Sequence, residues 1–350
     1  MARIPAPTSH DVARMAGVSQ PTVSRALRGD PRLSPATRRR VQQAARDLDY
    51  VPSQRGRSLA TRSTGQIGIV VSDLGNPFYL QVLDALHEAL RRSDRRMLVL
   101  TSDADGRIPL DRLVDGSLDG VVLTSTPLHS SLPAELGRRG FPFVLLNREV
   151  DDAPGDVCVV DNAAGARLVA EELLHLGHRA IAAVFGPDYS STGRDREASF
   201  RRVLDAAGVA LPDERWRRAR YHFGEGHRCA RELLHSEPTA LWCANDILAL
   251  GAYNAIHAHG LRIPQDITLI GFDDLTLAGW EMFELTTVSQ DIERMVRTGT
   301  ELLLSRIAHD SEVPLPPRRT VLPARLVRRR THGPPPVAAG GRPAPAGGRA

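Results

Sequence analysis

The chain of 350 residues holds only three cysteines, Cys158, Cys229 and Cys243, an odd number with no CxxC spacing. That pattern excludes a disulfide framework and fits reduced, partly buried thiols in a cytoplasmic protein. No apolar run reaches the ~18 residues that a bilayer-spanning helix needs. A basic-then-apolar leader is also missing from the N-terminal residues. Cytoplasmic localisation without membrane association is the expectation. There is no GxSxG elbow, no glycine-rich phosphate loop and no HExxH, so the commonest signatures of catalysis are absent. His175 and His178 lie three apart but flank a helix end without a third ligand, and His222 and His227 are no better placed. Neither a metal nor a cofactor is expected. Lysine is missing altogether, so every basic residue is arginine.

What the chain does have is a basic head. Residues 1–62 carry twelve arginines against four acids, a balance of +8, whereas the whole chain is only +4. The remainder is therefore mildly acidic, and the asymmetry is the electrostatic footprint of a nucleic-acid module. Residues 8–28 read as two short helices around a tight turn. Thr8 can cap the first helix, with Asp11 in capping-box spacing. Val12, Ala13 and Met15 supply its apolar face, and Gly17 permits the turn. Ser19 can cap the second helix, with Pro21 in its first turn. Val23, Ala26 and Leu27 face helix one. Gln20, Thr22, Ser24, Arg25 and Arg28 remain on the outer face, where donors suit the major groove of DNA. A helical hairpin that merely packs, or binds protein, is the alternative. Ser34 and Pro35 open a third helix with an apolar stripe at Val41, Ala44, Ala45 and Leu48.

Residues 53–61 follow, carrying Arg55, Arg57 and the apolar Leu59 around Gly56. The stretch is too short to be a stable helix alone, since isolated helices under ~12 residues are marginal. It reads either as a solvated linker or as a hinge that folds against DNA, with Leu59 as a minor-groove wedge.

From residue 65 the chain alternates β-branched runs (67–71, 97–101, 120–123, 143–146, 157–160, 180–185, 240–243, 267–271) with helical stretches. Parallel sheets flanked by helices are predicted. Ligands in such folds lie beyond the carboxyl ends of strands. The residues there are polar or aromatic: Ser72, Asp73, 76–79, Asn147, Arg148, Asp161, the loop 188–196 with Thr192, Asn245, Asp246, Asp273 and Asp274. Such a set can satisfy the hydroxyls of a small polar ligand. Asp246 also reads as the cap of a helix starting at Ile247, Asp161 with Asn162 as a helix opening, Asn76 as a turn residue and Asp274 as structural. For Arg196 and Asp273 a buried ion pair is the alternative to ligand contact.

The runs Asp-Val-Ala-Arg-Met-Ala-Gly-Val-Ser at 11–19, Thr-Val-Ser-Arg-Ala-Leu at 22–27, Ser-Pro-Ala-Thr-Arg-Arg-Arg-Val at 34–41, Tyr-Val-Pro-Ser at 50–53 and Arg-Ser-Leu at 57–59 closely resemble the head of the LacI/GalR family of transcription regulators. The resemblance continues through Asn-Pro-Phe-Tyr at 76–79, Leu-Gly-His-Arg at 176–179, Cys-Ala-Asn-Asp at 243–246 and Ile-Pro-Gln-Asp-Ile-Thr-Leu-Ile-Gly-Phe-Asp-Asp at 263–274. It implies a small all-α helix-turn-helix head on an α/β, two-lobed periplasmic-binding-protein-like core of parallel sheets flanked by helices. The implied function is that of a repressor: a homodimer on palindromic double-stranded operator DNA, controlled by a small-molecule effector, a sugar by family weight.

By the same resemblance Gln20, Pro21 and Arg25 read bases, Thr22 and Ser24 bind phosphate, and Leu59 enters the centre of the site. Thr8, Arg28 and Arg57 complete the expected DNA-binding set. Phe78, Arg148, Arg196, Asn245 and Asp273 fall at cleft positions, with Tyr79 stacking and Thr192 beside them. The expected layout is a head at 1–52, a hinge at 53–64, a core at 65–330 and a disordered tail at 331–350. Within the core, lobe one takes about 65–161 and 291–322, and lobe two about 162–290 and 323–330. The segment between Leu100 and Asp119 is about ten residues shorter than the family pattern, so the first lobe is expected to be trimmed there. An enzyme and a secreted sugar-binding protein are the rival classes; the missing motifs oppose the first, and the basic head opposes the second.

Overall fold

The computed structural model describes residues 7–51, 63–103, 107–309, 311, 313 and 315–336. The chain divides into two units, Met1–Thr64 and Gly65–Ala350.

The first unit is three helices: α1 (Ser9–Ala16), α2 (Gln20–Leu27) and α3 (Pro35–Asp47). Thr8 and Asp11 form a reciprocal capping box, with the Thr8 N–H donating to Asp11 Oδ2 at 2.9 Å. Gly17 ends α1 in the left-handed region at φ 60°, where a Cβ would be strained. Ser19 precedes α2 but makes no side-chain cap; its hydroxyl meets Thr22 Oγ1 at 2.8 Å instead. Val12, Ala13, Ala16, Val23, Ala26, Val41, Ala44 and Ala45 close the small core. Met15 does not join it and is 54% exposed; Ala16, on the inner side of α1, takes the place expected for it.

The second unit is built on two parallel sheets. The first comprises β1 (Gln66–Val71), β2 (Arg96–Thr101), β3 (Gly120–Leu123), β4 (Phe143–Leu146), β5 (Asp156–Val160) and β11 (Arg319–Leu322). Its order is β11-β5-β4-β3-β1-β2. Helices α4 (Pro77–Arg92) and α11 (Ile292–Ile307) pack together, with α11 against β3, β4 and β5. Between β2 and β3 lies only the four-residue α5 (Asp111–Val114), whose Leu113 is fully buried. A further helix, α6 (Leu132–Arg138), went unread in the sequence because a proline and a glycine interrupt its seven residues.

The second sheet runs β7 (Trp216–Arg218), β6 (Ile181–Phe185), β8 (Ala240–Cys243), β9 (Thr268–Ile270). It is flanked by α7 (Asn162–His175), α8 (Ser191–Ala206), α9 (Phe223–Leu233) and α10 (Asp246–Ala258). The chain passes from the first sheet to the second after β5. It returns through β10 (Thr287–Ser289) into α11, and passes again from β11 to β12 (Arg325–Val327), which pairs antiparallel with β10. Asp156, fully buried at the head of β5, takes ion pairs from Arg306 and Arg318, each at 2.6 Å. These pin the returning α11 and β11 to the first sheet.

The expectation of a disordered tail from residue 331 is corrected by the structure for 331–336. Thr331 is buried and donates to the Leu269 carbonyl at 2.7 Å, and Gly333 donates to Thr268 Oγ1 at 2.9 Å. The segment persists because it supplies the hydrogen bonds that the free edge of β9 would otherwise lack. Residues 337–350 lie outside the described ones. Among the described residues no helix is long and apolar enough to cross a membrane.

Helices α9 and α10 approach so closely that a Cβ on Gly251 would overlap the Phe223 carbonyl oxygen, and one on Gly226 the Leu248 backbone. Gly251→Ala should therefore destabilise the fold by about 1–3 kcal/mol through overpacking. Urea unfolding of the full chain checks this, and an unchanged midpoint would contradict the close-approach argument.

Candidate effector cleft and nucleic-acid interface

Between the two lobes of the second unit, strand ends and helix starts converge. Asn76 caps α4, its Oδ1 accepting from the Phe78 N–H at 3.1 Å, and Pro77 occupies the first turn. Phe78 and Tyr79 therefore leave that turn together and meet edge-on at 5.4 Å. Beyond β4, Asn147 takes a left-handed φ of 69°, which asparagine tolerates better than most residues. The chain bends there and delivers Arg148. In the second lobe α8 begins at Ser191, inside the segment expected as the loop 188–196, because Ser190 caps it by accepting from the Gly193 N–H at 2.9 Å. Thr192 and Arg196 thus lie one turn apart on one helical face.

Asn76, Phe78, Tyr79, Asn147, Arg148, Thr192, Arg196, Tyr221, Asn245, Asp273 and Gln290 line one inner corner of about 20 Å³. All seven residues expected to bind the effector are among them. Asn76, Asn147, Tyr221 and Gln290 were not in that set. Tyr221 was missed because β7, which precedes it, is three residues of tryptophan and arginine without an apolar run. Gln290 stands at the expected boundary between the lobes and carries no sequence signal for a place in the corner.

The corner is built around Arg196, only 2% exposed. Its Nε donates to Asn162 Oδ1 at 2.8 Å and its Nη1 to the Ala244 carbonyl at 2.5 Å. Nη1 also faces Asp273 Oδ1 at 3.5 Å, and the guanidinium lies 3.6 Å from the centroid of the Phe272 ring. Gln290 Nε2 donates to the same Asp273 oxygen at 2.5 Å. Asp161 opens α7 as expected, accepting from the Ala164 N–H, while Asn162, expected to share that role, also orients Arg196.

Asp246, weighed as a helix cap, has a different role. Asn245 caps α10 by accepting from Leu248 N–H at 3.0 Å. Asp246 is buried and accepts from Thr287 Oγ1 and the Leu275 N–H. Asp274 pairs with Arg329 at 2.6 Å, so it holds the β9 loop to the C-terminal segment. Arg148 is 5% exposed, yet among the described residues it has no ion pair. One Nη donates to the Ser125 carbonyl at 3.1 Å, and Nε has no hydrogen-bond partner. His178 is a core residue, bonded to Thr239 Oγ1 and the Gly333 carbonyl. No cluster with metal-ligand composition occurs among the described residues.

On the head, α2 turns Val23 and Ala26 inward and leaves Pro21, Arg25 and Arg28 exposed, with Gln20, Thr22 and Ser24 half-buried. Gln20 Nε2 donates to Ser9 Oγ at 3.3 Å. Arg25 and Arg28 have no ion pair among the described residues, unlike Arg14 and Arg32, which pair with Asp11 and Asp30. Thr8 is exposed at the start of α1. Arg57 and Leu59 lie outside the described residues.

A three-helix basic head joined to a two-lobed α/β clamshell defines a DNA-binding regulator rather than an enzyme. The sequence profile of bacterial regulatory proteins of the lacI family matches residues 8–53, and that of the periplasmic binding protein-like domain matches 170–332. The HTH-type transcriptional regulator CelR of Thermobifida fusca is 33% identical over 336 residues, covering 92% of this chain and 97% of that protein. Among solved structures, a transcriptional regulator CelR–cellobiose complex superposes with a TM-score of 0.70 at 31% identity, covering 93% of this chain and 99% of that one. A lac repressor dimer bound to operator and the anti-inducer ONPF gives 0.81 at 27%, with the same coverage. The chain belongs to the lacI family of bacterial transcriptional regulators.

The corner's electrostatics carry a pH dependence. Burial raises the Asp273 pKa from 3.8 to about 8, against the opposing pull of Arg196, with the neighbouring Asp246 adding to the rise. Asp246 itself is raised by burial to about 6. In the unfolded chain these carboxyls ionise near 3.8, so folding takes up protons and stability falls as pH rises through the window up to about 8. Asp273→Asn should flatten that decline, because it removes one of two interacting buried carboxyls. Urea midpoints measured across the range check it; an unchanged slope would contradict the assignment.

Proposed function

We propose that the chain is a repressor that binds a palindromic operator as a homodimer and responds to a sugar held between the lobes. The observation that carries the reading is the inner corner. Guanidinium, carboxylate and amide groups converge beside an aromatic wall, and the buried Arg148 Nε still lacks a partner. Buried polar groups of this kind are satisfied by ligand hydroxyls. The similar CelR is described in complex with cellobiose, and the similar lac repressor as a dimer on its operator. Phe78, Tyr79, Arg148, Thr192, Arg196, Asn245 and Asp273 are the proposed effector contacts.

On the DNA side the proposed contacts are Thr8, Gln20, Pro21, Thr22, Ser24, Arg25 and Arg28, with Arg57 and Leu59 from the hinge. Pro21 offers no side-chain donor and contributes an apolar contact, for instance to a thymine methyl. Arg25 is exposed and unpaired, free for base edges. The protein acts in the cytoplasm, where operator and metabolite meet. A head at 1–52, a hinge at 53–64 and two lobes connected at three crossings give the effector a lever. A change in lobe angle alters the spacing of two hinges, with a reciprocal coupling of about 1–3 kcal/mol.

The test is fluorescence anisotropy of the full chain on duplexes selected from a palindromic library. Binding should weaken steeply with salt. Arg25→Ala should cost about 1–3 kcal/mol on the selected duplex and little on scrambled DNA. Equal losses on both would assign Arg25 to phosphate rather than bases. Sugars added to the complex should change operator affinity in the wild type and leave Asp273→Ala unaffected. A response that survives Asp273→Ala would displace the cleft assignment.

A further inference from the structure

The cleft has a second compartment that the effector reading does not use. The inner corner leaves about 20 Å³, room for roughly one water molecule. Outside it lies a chamber of about 400 Å³, within the ~300–1,000 Å³ range of small-molecule sites. Asn76, Tyr79, Arg148 and Tyr221 line both, so the two spaces form one tapering cleft. A ligand that reaches Arg196 and Asp273 must present a narrow end to the corner, and the rest of it occupies the chamber.

The chamber's chemistry indicates what that remainder is. Tyr189 and Tyr221 stand with Pro127 and Pro187 among its walls. These flat apolar faces suit the C–H face of a saturated ring. Its charges balance: Arg148 and Arg220 stand against Asp73 and Glu225. A phosphate or carboxylate would meet two acids as well as two guanidiniums, whereas hydroxyls satisfy both signs by donating to one and accepting from the other. At the junction the buried Arg148 supplies an Nε donor with no partner, and such a group is costly unless a ligand oxygen accepts from it.

We propose, building on the effector reading above, that the cleft takes an uncharged, polyhydroxylated ligand of at least two linked rings. One ring lies at the junction beside Arg148 with a hydroxyl reaching into the corner, and the second ring lies in the chamber between Tyr189 and Arg220. Tyr189 and Arg220 then decide between single-ring and linked-ring sugars, since neither reaches the inner corner.

Isothermal titration of the full chain with cellobiose, maltose and lactose, their component hexoses, ribose and glucose 6-phosphate tests this. At least one disaccharide should bind tenfold or more tightly than either of its component sugars. Tyr189→Ala and Arg220→Ala, both at positions with solvent access, should erase most of that advantage while shifting monosaccharide affinity less than twofold. A monosaccharide that binds as tightly as every disaccharide overturns the proposal and leaves the effector reading standing. So does a sugar phosphate that binds tightest, or a disaccharide advantage untouched by both variants. If no sugar in the panel binds, the effector reading falls, and this proposal with it.

Discussion

The architecture of the effector lobe depends on keeping one guanidinium charge out of water. Arg196 is buried, and a buried cation is tolerable only when paired and fully hydrogen-bonded. Its partners come from three separate places: Asn162 at the start of α7, the Ala244 carbonyl after β8, and Phe272 and Asp273 after β9. The ends of β8 and β9 must therefore meet the start of α7 at a fixed depth for the network to close. Gln290, from the segment returning to the first lobe, completes it through Asp273. The same bonds that hold the lobe together define the inner wall of the cleft.

That joint is under tension. Asp273 and Asp274 both have positive φ, at 133° and 60°, a conformation that costs free energy at residues with side chains. The hydrogen bond that the Asp273 N–H donates to the Val288 carbonyl and the ion pair of Arg329 with Asp274 hold it in place. The C-terminal segment is thus part of the site's support, since Arg329 and Thr331 brace the β9 end on which Asp273 is carried. A joint with a raised carboxyl pKa and strained backbone sits one hydrogen bond from a crossover between lobes.

Much of this was legible in the chain. The head's capping box, its Gly17 turn and the inward Val23 and Ala26 followed from spacing, because short helices are governed by local rules. The central parallel strands of both sheets announced themselves as apolar runs and are almost wholly buried. Local rules failed where long-range partners decide. Ser19 has a capping sequence and does not cap. Asp246 looks like a helix start and is a buried acceptor for Thr287. β7 has no apolar signature, so Tyr221 went unplaced.

The amino-acid sequence by itself carried the class of fold and the basic second helix of the head through propensity, period and charge, while its resemblance to the lacI family picked out the seven side chains that line the inner corner. Only the tertiary structure decided that Asn162 and Gln290 orient the Arg196–Asp273 pair, that residues 331–336 finish the second sheet, and that the cleft tapers from a chamber to a corner. Those facts depend on contacts between residues tens to hundreds of positions apart. No local pattern encodes which distant hydrogen-bond partner a buried charge will find.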